Sequence, residues 1–376
     1  MQQWNVLPLA LAVFATAAHG EEIPLNTETQ TLKLVPVAEG FDQPRGLATL
    51  PGELFIVSER SGQMQARFNG EQQQVDGLPR LYADDQNGLL DVVASPDFPD
   101  TGWLYFTYSS GDEESTAVAL ARGQLAGNEL TDVEELFEQN RRSEPGTRTG
   151  ARLAWMADDT LLMSIGDRGS SERAQDTLDH AGKILRLDPQ GLAPQDNPRH
   201  GEAGFLPEIY SWGHHHVLGL AVDPERNVVW AVETRNNGHD ELLRIRGGEN
   251  HGWPEEEGSA DSAGADLLDD AARGALFTDQ EVIEPVHRFS SDIAPAGLAV
   301  INGEHYPDWQ GDLLMGGLES EQLYRLDVSD PQNVEKEALL DETLGPVRDV
   351  RQGPDGYLYA LIGDGDGTLY RLEPQD

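Results

Sequence analysis

The feature of this sequence that most constrains its fold is a unit that recurs six times along the chain. In each unit a short turn rich in Pro, Asp or Gly leads into a β-rich apolar run of about five residues. The six runs begin at Leu54, Leu104, Leu161, Val228, Leu313 and Leu358. Regular repeats of short strands are typical of a β-propeller, in which each repeat forms one blade.

A second strand follows each of these runs and carries an arginine next to apolar residues. The six arginines lie 46 to 81 residues apart and are Arg67, Arg122, Arg186, Arg244, Arg325 and Arg371. This spacing fits blades of about four strands with variable insertions. The sequence therefore predicts an all-β fold, a six-bladed β-propeller of four-stranded antiparallel blades. We expect a strand near Thr31 to Val37 to complete the last blade.

Two segments fall outside the repeats. Residues 1–20 contain an apolar run that is too short to span a bilayer and ends in small residues, as export signals do. Residues 255–275, acidic and rich in Ala, Gly and Ser, are interpreted as an insertion. No later stretch is long and apolar enough for a membrane helix, so we expect residues 21–376 to form one propeller domain, periplasmic or secreted and without a membrane anchor.

The composition excludes several classes of protein. The chain has 26 Lys and Arg against 67 Asp and Glu, a formal net charge of −41, and no Cys. A surface this negative repels phosphate backbones and anionic lipids, which argues against nucleic-acid and membrane-surface partners. Without Cys there is no thiolate zinc site, iron–sulfur cluster or Cys nucleophile.

A propeller binds ligands in loops at one end of its central channel, so a site here is assembled from distant segments. The candidate segments are residues 85–88, 166–169, 211–216 and 233–240. Within them, three consecutive histidines admit a metal site: on a strand His214 and His216 share one face, with Glu233, His239 or Asp240 as further ligands. The alternative is that His214 is a hydrogen-bonded core residue beside a polar channel.

Several strings resemble the soluble, pyrroloquinoline-quinone (PQQ)-dependent sugar dehydrogenases of the glucose/sorbosone dehydrogenase family, which are six-bladed propellers. They occur in the family's order from about Gln43 to Leu372, and include QNGLLDVVASPDF (86–98), SIGDRG (164–169), AGKILRLDPQG (181–191), LPEIYSWGH (206–214) and VRDVRQGPDGYLYAL (347–361). The resemblance implies oxidation of the anomeric carbon of an aldose with PQQ and Ca²⁺. It also implies an external electron acceptor.

The resemblance assigns roles to four positions of this chain. Gln86 matches the family's substrate-binding Gln, Asp167 the acidic residue that supports the catalytic His, and Arg348 a cofactor-facing Arg. At the position of the catalytic His itself this chain has Arg148, which cannot act as a base near neutral pH. Proton abstraction therefore needs another agent.

Other cofactor-facing positions also depart from the family. His215 and His216 stand where the family has an Arg and an Asn toward the cofactor, and Arg235 and Asn236 stand where two backbone carbonyls bind Ca²⁺. Glu319 and Pro346 replace a Lys and an Arg. We therefore expect fewer cations around the cofactor than in the family, with His215 or His216 as a replacement base.

Two other functions remain open at this stage. One is a metal-assisted lactonase that uses His214, His216 and acidic neighbours on the same propeller. The other is a non-catalytic propeller that binds a sugar or a protein. A propeller fold alone does not decide among the three functions.

Overall fold

The computed structural model describes residues 21–146, 148–235, 239–254, 282–291 and 293–375. These residues form six antiparallel β-sheets around a central channel, which confirms the predicted six-bladed propeller. Three predicted features lie outside the described residues: the export signal at 1–20, the insertion at 255–275, and Asn236, which the resemblance assigns to Ca²⁺.

In each blade the strands follow one another from the channel outward. Blade 1 contains β3 (Pro44–Leu50), β4 (Leu54–Glu59), β5 (Met64–Phe68) and β6 (Glu71–Gln74). Blade 2 contains β7 (Leu89–Ala94), β8 (Trp103–Gly111), β9 (Thr116–Ala126) and β10 (Glu129–Glu138). Blade 3 contains β11 (Gly150–Trp155), β12 (Leu161–Ile165), β13 (Lys183–Leu187) and β14 (Ile209–Trp212).

Blade 4 contains β15 (His216–Asp223), β16 (Val228–Thr234), β17 (Glu241–Ile245) and β18 (His287–Arg288), and blade 5 contains β19 (Pro295–Val300), β20 (Leu313–Gly317), β21 (Leu323–Asp327) and β22 (Glu335–Ala338). Blade 6 contains β23 (Val347–Gln352), β24 (Leu358–Ile362), β25 (Gly367–Pro374), β2 (Leu32–Phe41) and β1 (Ile23–Leu25). Among the described residues, an α-helical turn, α1 (Phe98–Thr101), and 3₁₀ turns at Ser171–Ala174 and Pro307–Trp309 lie between strands.

The repeated sequence unit corresponds to the middle two strands of each blade. The six predicted apolar runs are β4, β8, β12, β16, β20 and β24, and the six arginines lie on β5, β9, β13, β17, β21 and β25. The predicted closure is also confirmed, because β2 pairs with β25, with Leu34 opposite Leu372. Blade 6 thus joins an early strand of the chain to late ones, and β2 leads directly into β3 of blade 1, which closes the ring of blades.

The hydrophobic core lies between neighbouring blades. One apolar cluster, for example, joins Leu120 of blade 2 to Met163 of blade 3, and another joins Val232 of blade 4 to Met315 of blade 5, all four side chains being fully buried. The alternating apolar side chains of each strand fill the space between two sheet faces. The six blades therefore stabilise one another.

Every inner strand carries a β-bulge near its first residues. The pairing shifts at Arg45 in β3, at Arg348 in β23, at Leu218 in β15 and across Ala151 and Arg152 in β11. Equivalent shifts occur in β7 and β19. A bulge adds a residue that the partner strand does not pair, which redirects its side chain. Four of the residues at these bulges, Arg45, Arg152, Leu218 and Arg348, line the mouth of the channel.

Below these bulges a buried ion network joins the inner strands of four blades. Arg351 contacts Asp91 at 2.8 Å and Asp349 at 3.1 Å, and Arg152 contacts Asp349 at 3.2 Å. Asp349 also accepts the backbone N–H of Leu47 at 3.0 Å. These charges are hydrogen-bonded to one another and to the backbone, as buried ions require. The network fixes the inner strands that carry the channel mouth.

Candidate functional site

A cavity of about 160 Å³ opens at the bulged end of the central channel. Inner strands begin at this end and second strands end there, because the two run antiparallel. Five blades and the loop before β7 line the cavity, through Arg45, Arg60, Asp85, Gln86, Arg152, His216, Leu218, Ala296, Leu318 and Arg348. The structure thus brings together three of the predicted site residues, Gln86, His216 and Arg348.

Four of the lining residues are arginines. Arg60 and Arg348 both contact Asp364, at 3.1 and 2.6 Å, and Arg152 donates to the backbone oxygen of Arg348 at 2.7 Å. Arg45 makes a 3.4 Å hydrogen bond to the backbone oxygen of Gln86 and has no carboxylate partner among the described residues. Burial, with the charges of Arg60, Arg348 and Arg152, lowers the pKa of Arg45 to about 9.

This arginine cluster includes cations that the resemblance did not assign. The expectation of fewer cations considered only the positions that the resemblance assigns, and Glu319 does not line the cavity. Arg45, Arg60 and Arg152 come instead from bulges and a turn in blades 1 and 3. A protein with a net charge of −41 therefore carries a local positive site at its channel mouth.

Asp167 lies at the centre of a second group of site residues. Its buried carboxylate contacts the Arg148 guanidinium at 3.3 Å and accepts the Trp253 indole N–H and the Gly169 backbone N–H, each at 2.9 Å. The Nε2 atom of His215 lies 3.8 Å away. Arg148, which the resemblance matches to the catalytic His, therefore contacts the same aspartate that the resemblance pairs with that His.

Close backbone packing holds this group together. A Cβ at Gly166 would collide with the carbonyl oxygen of Arg148, so only glycine lets the end of β12 approach the start of β11. Asp167 itself donates its backbone N–H to the carbonyl oxygen of His215 at 2.8 Å. The segments 148–150, 166–169 and 213–216 therefore form one packed unit.

His215 and His216 are neutral near neutral pH. Burial and the nearby Arg148 lower the pKa of His215 to about 3, and its Nδ1 hydrogen-bonds to the backbone oxygen of Thr234. Burial, with His215 and the arginines, also lowers the pKa of His216 to about 3. The ring of His215 packs on Trp253 at 4.3 Å, whereas the ring of His216 lines the cavity. Of the two, His216 is the one that a ligand in the cavity can reach.

His214 occupies different surroundings from His216, so the prediction that they share one face is wrong. Strand β15 begins only at His216, and the alternation of strand side chains does not extend back to His214. His214 is fully buried, stacks on His251 and hydrogen-bonds to Ser211 at 2.8 Å. Among the described residues no group of three His, Asp or Glu could hold a metal ion.

Arg235, at one of the two positions that the resemblance assigns to Ca²⁺, is buried among carboxylates. Its guanidinium contacts Glu233 and Glu241, each at 2.7 Å, and lies 5.1 Å from the centre of the Trp253 ring. Two carboxylates thus balance its charge. The side chain of Arg235 therefore places no net positive charge beside the backbone carbonyl that the resemblance assigns to Ca²⁺.

Sequence reasoning missed Arg45, Arg60, Arg152, Asp364 and Trp253. One signal was available: Pro44-Arg45-Gly46 and Val347-Arg348-Asp349 both open an inner strand, so their arginines occupy equivalent blade positions. Trp253 comes from a loop outside the repeat and has no such signal.

Comparison with known proteins gives a consistent result. The family model for glucose/sorbosone dehydrogenases matches residues 41–371. An uncharacterised protein of Synechocystis, slr1608, is 35% identical, over 91% of this chain and 86% of that protein. The aldose sugar dehydrogenase YliI of Escherichia coli is 30% identical, over 92% of this chain and 94% of that protein. The PQQ-bound aldose sugar dehydrogenase of Streptomyces coelicolor superposes with a TM-score of 0.73 at 27% identity, over 92% of this chain and 98% of that one.

Proposed function

Because this chain belongs to the glucose/sorbosone dehydrogenase family, we propose that it is an exported quinoprotein that oxidises the anomeric carbon of an aldose with PQQ and Ca²⁺. The observation that carries this proposal is the cationic cavity at the channel mouth, which contains Gln86, His216 and Arg348. Family membership alone leaves the chemistry open, since related propellers host different functions.

The residues of the cavity fit a polycarboxylate such as PQQ. Arginine is well suited to carboxylates because its planar guanidinium can donate two parallel hydrogen bonds. The Nε atoms of Arg45 and Arg348 are buried, and no described residue accepts a hydrogen bond from either. Arg45, Arg60 and Arg348 would therefore hold the carboxylates. When bound, PQQ supplies the two-electron acceptor for the hydride of the sugar.

Two residues then act on the sugar. Gln86 is exposed at the rim of the cavity, where its amide can hydrogen-bond sugar hydroxyls. His216, a neutral imidazole in the cavity wall, accepts the proton of the anomeric hydroxyl at a ring nitrogen. Asp167 and Arg148 fix the neighbouring segment, and the charge of Asp167 raises the pKa of His216 against the larger lowering by burial and His215.

The proposal for Ca²⁺ rests on the resemblance and on the backbone carbonyls of Arg235 and Asn236. Backbone carbonyls are common Ca²⁺ ligands. The two carboxylates around the Arg235 guanidinium remove the repulsion that its charge would cause. The charge of the Arg235 side chain therefore does not argue against a cation at its backbone carbonyl.

Export is proposed from the apolar run within residues 1–20. The described residues contain no helix long and apolar enough to cross a membrane. N-terminal sequencing of protein recovered from the periplasm or medium tests export directly. A mature chain that begins near Glu21 is expected, and a full-length chain retained in the cytoplasm would contradict it.

Reconstitution tests the activity. The purified mature protein is loaded with PQQ and CaCl₂ and offered a panel of aldoses with an artificial dye as electron acceptor. We expect dye reduction that depends on both sugar and PQQ. Sugar binding without turnover would instead indicate a binding propeller, and hydrolysis of sugar lactones without PQQ would indicate a lactonase. Either result would overturn the proposal.

A further inference from the structure

We propose that Arg45 is the main carboxylate anchor of the channel mouth, and that Arg45, Arg60, Arg152 and Arg348 together form a built anion site. This inference rests on the proposed function, since the carboxylates it assigns to the site are those of PQQ. It goes beyond that function because it names the residue on which cofactor binding depends most.

Arg45 has weaker contacts than the other arginines of the cluster. The other arginines of the cluster each have an oxygen partner at 3.2 Å or closer, on Asp364, Asp349 or the backbone of Arg348. Arg45 has only the 3.4 Å contact to the backbone oxygen of Gln86, and its Nε has no hydrogen-bond partner in the described part of the chain. A partly buried cation with no carboxylate in contact is costly unless a ligand supplies one.

The arginines of the cluster also repel one another. The charges of Arg60, Arg348 and Arg152 all act on Arg45 in the same direction as burial and lower its pKa to about 9. Nearby carboxylates relieve this only in part, because Asp364 serves both Arg60 and Arg348, and Asp91 and Asp349 serve Arg351 as well as Arg152. An anion in the cavity would relieve the repulsion on all four arginines.

The arginines of the cluster lie on neighbouring elements of the fold. Arg45 and Arg348 occupy the bulge positions of β3 and β23, which are neighbours in the ring of inner strands. Arg60 reaches the same cavity from the turn after β4. The cluster is therefore built into rigid strand ends. A carboxylate bound between Arg45 and Arg348 would meet two guanidinium groups whose backbones are already fixed.

The experiment compares apoprotein and PQQ-loaded protein by thermal unfolding and by fluorescence titration, neither of which requires turnover. The variants are Arg45→Met, which removes the charge, and Arg45→Lys, which keeps it without the planar fork. Arg226→Met is the control: it removes one charge from an exposed residue in the turn between β15 and β16, away from the channel mouth. Citrate serves as a carboxylate probe without redox chemistry.

We expect Arg45→Met to raise the Kd for PQQ roughly 10- to 100-fold, the effect of one charge-assisted hydrogen-bond pair, while Arg226→Met leaves it unchanged. We also expect Arg45→Met to unfold about 2 °C higher than the wild type when no ligand is added, because an uncompensated cation is lost. Arg45→Lys should bind PQQ less tightly than the wild type and more tightly than Arg45→Met. A residue that only supports the fold would lower the unfolding temperature instead.

The outcomes separate this inference from the proposed function. If PQQ binds the wild type and Arg45→Met equally well, the anchor role is wrong while the quinoprotein function stands. If PQQ does not bind the wild type but citrate raises its unfolding temperature in an Arg45-dependent way, the function fails and the anion site stands. If neither PQQ nor citrate changes the unfolding of the wild type, both are overturned.

Discussion

Replacing Arg148 by His should increase the rate of aldose oxidation. The resemblance matches Arg148 to the family's catalytic His, and the Arg148 guanidinium lies 3.3 Å from the carboxylate of Asp167. A guanidinium cannot accept a proton near neutral pH, whereas an imidazole oriented by a carboxylate can. The substitution Arg148→His would therefore place a general base beside an aspartate that the structure already positions.

The size of the gain follows from the contacts of Asp167. General base catalysis contributes roughly 10²- to 10⁴-fold. We expect a gain of about 10²-fold in kcat, the lower end of this range. Asp167 stays in place through the N–H donors of Trp253 and Gly169, but the new imidazole is shorter than the side chain that it replaces.

The substitution also carries a cost in stability. Two unit charges at 3.3 Å interact by about 5 kcal/mol at an effective dielectric constant of 20. The side chain of Arg148 is 30% exposed, so solvent screens much of this. We expect a net loss of about 1 to 2 kcal/mol in the free energy of unfolding, or about 3 °C in Tm.

The assay is dye reduction by PQQ-loaded protein under saturating aldose, measured from pH 5 to 9. Arg148→Gln is the matched control, since it also removes the charge but supplies no base. The rate of Arg148→His should rise with pH as the new imidazole loses its proton, and the rate of Arg148→Gln should lack this limb. A rate for Arg148→His no higher than that of Arg148→Gln would refute position 148 as a site for the base. A wild type faster than both variants would show that Arg148 itself contributes.

Three further predictions concern the site and its supporting structure. His216→Asn should lower kcat about 100-fold in the wild type but much less in Arg148→His, because the second protein has another base; equal losses in steady-state assays of both would contradict the role of His216. Burial lowers the pKa of Lys183 to about 7, so the folded state binds fewer protons than the unfolded state between pH 7 and about 10.5, and stability should rise with pH across that window. The free energy of unfolding of Lys183→Met minus that of the wild type, measured in urea, should therefore be larger at pH 7 than at pH 10, by up to about 4 kcal/mol. A difference that does not change with pH would be inconsistent with this pKa. Arg351→Met should cost about 3 to 5 kcal/mol in the same assay, because it leaves Asp91 and Asp349 with less compensation; a variant as stable as the wild type would show that the network does not hold the inner strands.

The architecture could be predicted from the sequence because a propeller repeats its local pattern. The turn, the apolar run and the following arginine strand recur with every blade, and hydrophobic periodicity is a local property. The closure by residues 31–37 was predictable for the same reason, since the last blade has three strands of its own and needs a fourth.

The site was only partly predictable, because its residues are close in space but far apart in the chain. Gln86 and Arg348 could be assigned through matching motifs. Arg60 and Asp364, 304 residues apart, form an ion pair that no local pattern indicates. Arg45 and Arg152 lie at bulges, where the alternation of side chains is interrupted, so periodicity gives no direction for them.

The histidine run shows the same limit at shorter range. His214, His215 and His216 are consecutive, yet they face His251, Trp253 and the cavity, respectively. Strand β15 begins only at His216. The alternation of side chains along a strand therefore does not predict the neighbours of His214 and His215. The role of each ring follows from tertiary packing.

The central claim is that the arginine-lined channel mouth of this acidic protein binds PQQ. A titration of the mature apoprotein with PQQ, in buffer containing Ca²⁺ and followed by tryptophan fluorescence, tests it most directly. We predict saturable binding of one PQQ per chain that weakens as salt is raised, since the contacts are between arginines and carboxylates. The absence of saturable binding at PQQ concentrations well above that of the protein would contradict the account.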